Sequence, residues 1–217
     1  MAVSVGGEWP ALLWAGLLAA VAGYVDAICY VCLGRVFAAN MTGNLVLIGM
    51  SIAAAEWHRA AFCAAIILAF FYGVVAARAL LQSPLPSRLA PAIEAAAIAL
   101  AGTGRLGIAT APLLAAAIAV QNEAVRHGIV SVNVAFITGD LQRLGERLLP
   151  TAGPTPRRGP ARQSQIILAV LLCYAVGAGL GGVAARLGLP ALFGAAGVLA
   201  AVAAVPGCWT RHDEGRG

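Results

Sequence analysis

Residues 23–49 read GYVDAICYVCLGRVFAANMTGNLVLIG, and the reading of this stretch decides the fold. Asp26, Asn40, Thr42 and Asn44 interrupt an apolar background that continues on both sides. A helix needs roughly 20 apolar residues to cross the hydrocarbon core of a bilayer, which is about 30 Å thick. The surrounding chain supplies runs of that order throughout. Of its 217 residues, 61% are hydrophobic and 11% charged, and the mean hydropathy is +0.88. Soluble domains carry about 25% charged residues, so this composition excludes a water-soluble globular protein.

Working outward, hydrophobic runs fall at 11–33, 36–55, 60–82, 90–104, 106–125, 132–149, 164–187 and 190–208. They lack the strict alternation of barrel strands, and lipid leaves no partner for an open backbone, so the runs are helical. The expectation is an all-α, polytopic membrane protein of six to eight transmembrane helices. Its only sizeable connection is Pro150 to Arg162, which leaves no room for a soluble catalytic domain. No basic residue precedes Arg35, so a cleavable signal peptide is not expected and the first helix is retained. The net charge of +5 comes from fourteen arginines. Five of these, Arg143, Arg147, Arg157, Arg158 and Arg162, lie in or beside the 150–162 connection. They make this loop the best candidate for a cytoplasmic one and are not read as a nucleic-acid surface.

The opening stretch has an echo 96 residues later. LLAAAIAVQNEAVRHGIVSVNVAFITGDLQRLG, residues 113–145, aligns with residues 17–49, placing Thr42, Gly43 and Asn44 on Thr138, Gly139 and Asp140. Asp26 falls on Asn122. Each half thus keeps one carboxylate and one amide at matched positions. Two internal repeats are expected, 1–104 and 105–217, within one integral membrane domain.

The candidate ligand-binding residues follow from the cost of polar groups at membrane depth. Asp26 is the only charge in the first run. Asn40, Thr42, Gly43 and Asn44 form a polar turn where a helix can be interrupted, aiming its amides at an anionic or polar group. In the second half the set is Gln121, Asn122, Glu123, Thr138, Gly139 and Asp140. The alternatives for Asp26 are a position nearer the interface or a bond to a neighbouring helix through its protonated form, and for the turn a contact between small residues bridged by Thr and Asn. Glu94 lies near the start of its run and reads as reaching the interface. Gly177 and Gly181 form a G-x-x-x-G face suited to close helix packing. Cys29 and Cys32, at i and i+3 in an apolar helix, read as packing residues, and no metal or cofactor site is expected. The Gly102–Gly107 G-x-G-x-x-G has no preceding strand and is read as a turn.

GYVDAICYVCLGRVFAANMTGNLVLIG and AVQNEAVRHG…VAFITGDLQRL resemble the two signatures of the YoaK family of bacterial integral membrane proteins. The resemblance implies a polytopic inner-membrane protein and supplies no activity; Glu123 beside Asn122 departs from its pattern. No H-E-x-x-H, G-x-S-x-G or P-loop is present, so an enzyme is not expected. Repeats with ionisable residues at matched depth favour a small-solute transporter or permease. Its partners would be membrane lipid and a small solute or coupling ion. The alternative is a non-transporting scaffold or regulatory subunit whose basic loop meets anionic lipid or a cytosolic partner.

Overall fold

The computed structural model describes residues 8–82, 89–128, 141–142, 145 and 161–204. Among them the chain is all-helical, with no strand. Seven α-helices follow in order: α1 (Glu8–Cys32), α2 (Met41–Ala53), α3 (Trp57–Gln82), α4 (Leu89–Gly102), α5 (Thr110–Gly128), α6 (Ala161–Ala184) and α7 (Leu192–Ala204). Three helical stretches are long and apolar enough to cross a membrane, Leu12–Cys32, Trp57–Leu80 and Ser164–Leu187. Helix α2 has 13 residues and is about 20 Å long at about 1.5 Å per residue, short of a full crossing. The run expected over 36–55 therefore begins as helix only at Met41, because residues 33–40 leave the helical path. Most of the run expected over 132–149 lies outside the described residues.

The helices pack in pairs: α1 on α6, α3 on α5, α4 on α7, with α2 on α3 and α4 on α5. Small residues set the first pairing. Gly16 faces Cys173, Gly177 abuts the Ala20 carbonyl, and Gly181 abuts the backbone of Tyr24. The numbers rise together, so α1 and α6 run parallel. Cys32 Sγ donates to Ala185 O at 3.6 Å, which holds their ends level. The same reading applies to α3 and α5: Gly73 lies against Ala116 and Ala119, and Arg78 pairs with Glu123. The end of α4 meets the start of α7, Gly102 facing Leu189, Leu192 and Phe193, so these two run antiparallel. Short turns make α4 antiparallel to α5 and α6 antiparallel to α7. It follows that α1 is antiparallel to α3.

The core between the helices is aliphatic and rich in alanine, with Leu18, Ile28, Ile66, Ile98, Leu114 and Leu199 almost fully enclosed. The outward faces are apolar too, as in Leu68, Phe71 and Val75 on α3 and Leu172, Val176 and Leu180 on α6. A surface of this kind matches lipid rather than water.

The backbone approach at Gly177 yields a test. A Cβ there would overlap the Ala20 carbonyl, whereas one on Gly179 meets nothing within 4 Å. Gly177→Ala is expected to cost about 1–3 kcal/mol or more, the usual range for overpacking. Gly179→Ala should be neutral or stabilise by about 0.5–1 kcal/mol through helix propensity. Thermal unfolding of the two variants in detergent checks the contrast; equal melting temperatures would contradict the packing.

Candidate functional site: a buried carboxylate holding an interrupted helix

The chain leaves α1 through Gly34 and Arg35, both at positive φ (86° and 59°). That left-handed pair reverses the chain, at little cost for glycine and at a real one for arginine. Residues 36–40 then carry backbone N–H groups without helical partners, and in a membrane each must be satisfied within the protein.

Asp26 supplies the acceptors. Its Oδ1 accepts from the amides of Ala38 and Ala39, each at 2.6 Å, and its Oδ2 from Asn40 N at 3.2 Å. Tyr174 Oη of α6 donates to Oδ2 at 2.5 Å. Four donors therefore converge on one carboxylate that is 3% exposed. Gly23 lies against the Tyr174 carbonyl and Ala178 of α6, so this close approach brings the two helices together beside Asp26.

Each residue of the following turn has a local role. Asn40 caps α2, accepting from Gly43 N at 3.1 Å and from Thr42 Oγ1 at 2.8 Å. Asn44 is fully buried and grips the backbone of Phe37 at both ends, with Oδ1 accepting from Phe37 N at 2.9 Å and Nδ2 donating to Phe37 O at 2.7 Å. Phe37 stacks on Tyr30 at 5.3 Å between centroids. Gly43 is glycine because a Cβ would lie 2.9 Å from the Phe37 ring and 3.0 Å from the Asn40 amide. Asp26, Asn40, Thr42, Gly43 and Asn44 thus form one knot of hydrogen bonds. The anionic group met by the amides before α2 is the chain's own Asp26.

A second polar group lies on α5. Glu123, 3% exposed, accepts from Arg78 Nε at 2.7 Å. Gln121 sets its terminal amide against both carboxylate oxygens of Glu94, 2.7 Å from Oε2. Glu94 is fully enclosed on α4 and does not reach the interface as its position near a helix start suggests; packing on α5 and α7 covers it. Asn122 is buried between these neighbours in sequence, and its Oδ1 has no hydrogen-bond partner among the described residues. Thr138, Gly139 and Asp140 lie outside the described residues. The structure therefore joins the candidates of the first half into one network, but it shows no contact between that network and Gln121, Asn122 or Glu123. Tyr174, Arg78 and Glu94 are partners that sequence reasoning missed. For Tyr174 the available signal was a hydroxyl inside an apolar run, just before the G-x-x-x-G face. The Cys29–Cys32 pair is unbridged, with Cys29 buried against the core and Cys32 on the Ala185 carbonyl, a packing arrangement.

Buried ionic and amide groups inside long apolar helices define an integral membrane protein of the helical class. The chain belongs to the family described as "Protein of unknown function (DUF1275)", whose model matches residues 14–205. It is similar to "UPF0700 transmembrane protein YoaK" of Bacillus subtilis (strain 168), with 61% identity over 36 residues, which is 17% of this chain and 16% of that relative. No solved structure matches.

The knot predicts a graded loss. Tyr174→Phe removes one donor to a carboxylate, worth about 1.5–3 kcal/mol. Asp26→Ala leaves the three amides of residues 38–40 without an acceptor, at about 1–3 kcal/mol for each buried group. Hydrogen exchange by mass spectrometry should show those amides protected in the wild type, slightly faster in Tyr174→Phe, and fully exchanging in Asp26→Ala while α3 stays protected. Unchanged protection in Asp26→Ala would remove Asp26 from this role.

Proposed function

We propose that this chain is a small-solute permease of the bacterial cytoplasmic membrane, formed by two inverted halves, 1–104 and 105–217. The observation that carries this reading is the crosswise pairing. Helix α1 of the first half lies on α6 of the second, α3 lies on α5, and α4 and α7 meet each other. The 96-residue register that aligns Asp26 with Asn122 also aligns Ala20 with Ala116. Those two alanines receive the two close glycines, Gly177 and Gly73 respectively. Gly73 and Gly177 are offset by 104 residues, and the eight extra residues fall in the connection after Pro150.

The directions of the helices support inversion. With α1 antiparallel to α3, residues 33–56 leave and return on one face, so the turn and α2 form a re-entrant element and the first half crosses three times. Inverted repeats with interrupted helices near the membrane midplane are the architecture of alternating-access carriers.

Asp26 then acts within the protein, tying the re-entrant segment of one half to Tyr174 of the other. The solute would meet the polar face of α5, where Asn122 Oδ1 has no hydrogen-bond partner among the described residues. A second reading, a non-transporting scaffold, is favoured by one observation: the Asp26 carboxylate and the Asn44 amide are both bonded within the chain.

Two measurements test the proposal. Reporter fusions after Glu56 and after Pro154 should report opposite sides of the membrane; the same side would refute inversion. A panel of small amino acids, sugars and nucleobases should contain a compound that raises the melting temperature of the purified protein, since a ligand bound only by the native state stabilises it by about 2.7 kcal/mol at a hundredfold excess over Kd. That compound should cross proteoliposomes containing the protein faster than empty ones. Saturable stabilisation without flux would favour the scaffold.

A further inference from the structure

We propose that Glu94 is a proton-binding site, a carboxyl enclosed between α4 and α5 that takes up and releases one proton while the Gln121 amide serves both of its states. The inference does not rest on transport. Glu94 is completely shielded from solvent, yet it sits within an apolar helix and faces an amide rather than a cation. A lone carboxylate in such a setting is costly unless it is neutralised.

Among the described side chains, the elements packed on α4 set no cation against it. Helix α7 reads LFGAAGVLAAVAA, and the turn before it, Leu189–Ala191, reads LPA; neither holds a titratable residue. On α5 the other acid among the described side chains, Glu123, is engaged by Arg78 of α3. Nothing described therefore fixes Glu94 in its charged form. In a membrane protein a structural acid would ordinarily be paired with a base or reach the headgroups.

Gln121 is the feature that makes the site reversible. Its amide lies against both oxygens of Glu94 and is symmetric in shape but not in chemistry. With NH2 turned inward it donates to the carboxylate. With the carbonyl turned inward it accepts from a protonated carboxyl. Uptake adds one proton from water to a Glu94 oxygen, breaks no other covalent bond, and needs only a half-turn of the amide. An arginine or lysine at position 121 would have locked the charge, and a leucine would have left both states without a partner.

Glu94 of the first half and Gln121 of the second form the site together, and the 96-residue register places Val25 opposite Gln121 and Ala27 opposite Glu123, so the amide is not repeated. It is a feature added where the two halves meet, not a requirement of the shared fold.

Infrared difference spectroscopy of the full chain in lipid tests the assignment. The pH is stepped from about 4 to about 10, a span that covers ordinary and buried carboxyls. The wild type should show a protonated-carboxyl band that disappears with rising pH and is missing in Glu94→Gln, while Asp26→Asn retains it. Gln121→Leu should keep the band but displace its midpoint by about one pH unit or more. Labelling with [13C]glutamate shifts the band away from aspartate signals, so the wild type and Gln121→Leu suffice if Glu94→Gln does not fold. Absence of the band at every pH, or a band of constant intensity across the range, would overturn the proposal.

Discussion

The structure depends on one constraint, that backbone amides leaving a helix inside a membrane must find acceptors within the protein. At residues 38–40 three such amides arrive together, and Asp26 accepts from all of them. A neutral acceptor of the same size has one carbonyl oxygen. Only a carboxylate offers two oxygens with enough lone pairs for three amides and a hydroxyl. The burial of a charge at position 26 is therefore a consequence of interrupting the chain between α1 and α2. Asn40, Gly43 and Asn44 follow from the same interruption: one caps the new helix, one clears space for Phe37, and one holds Phe37 in place.

That constraint reaches beyond the first two helices because the fourth donor, Tyr174, belongs to α6, 148 residues away. For its hydroxyl to reach Asp26, α6 must lie almost in backbone contact with α1, and Gly23, Gly177 and Gly181 allow this. Between lipid-facing helices no hydrophobic force favours association, so close packing and internal hydrogen bonds carry it. Here both occur along a single interface. The glycines permit the approach and the Asp26–Tyr174 bond sets its register, while Tyr24 Oη, donating to Ala191 O at 2.8 Å, fastens the same helix to the turn before α7.

How much of this was legible in the sequence varied with the physics involved. Membrane helices follow from composition and run length, because the bilayer imposes both. The grouping of Asp26 with the 40–44 turn was visible because polar residues stand out against leucine and alanine. Their roles were harder to read, since a sequence does not show whether buried acceptors face a solute or the chain's own amides. The partners of α5 were hidden for another reason. Position along a helix is a poor guide to depth once other helices cover its end, and so Glu94 reads as interfacial yet is enclosed. The start of the second run at Met41 rather than residue 36 was hidden by the apolar residues Val36, Phe37, Ala38 and Ala39, which look helical but form a non-helical strap.

The difference between the two polar groups also bears on how the molecule is held. Around Asp26 every acceptor is used, and its donors come from both α6 and the strap, so motion there would break several bonds to a buried charge at once. Around α5 the arrangement is looser. Glu123 is tied to an arginine whose side chain is 56% exposed, Gln121 can turn its amide without losing its neighbour, and Asn122 Oδ1 has no partner among the described residues. Replacing Asp26 by Asn122 in the aligned register removes the charge, and an offset of 104 puts Phe70 where Tyr174 stands, which removes the hydroxyl as well. The aligned position thus lacks both members of the bond that fixes α1 to α6. Local opening draws on the part of a structure with the fewest interactions to lose. By that criterion the α1–α6 side is the more firmly held part of the described structure.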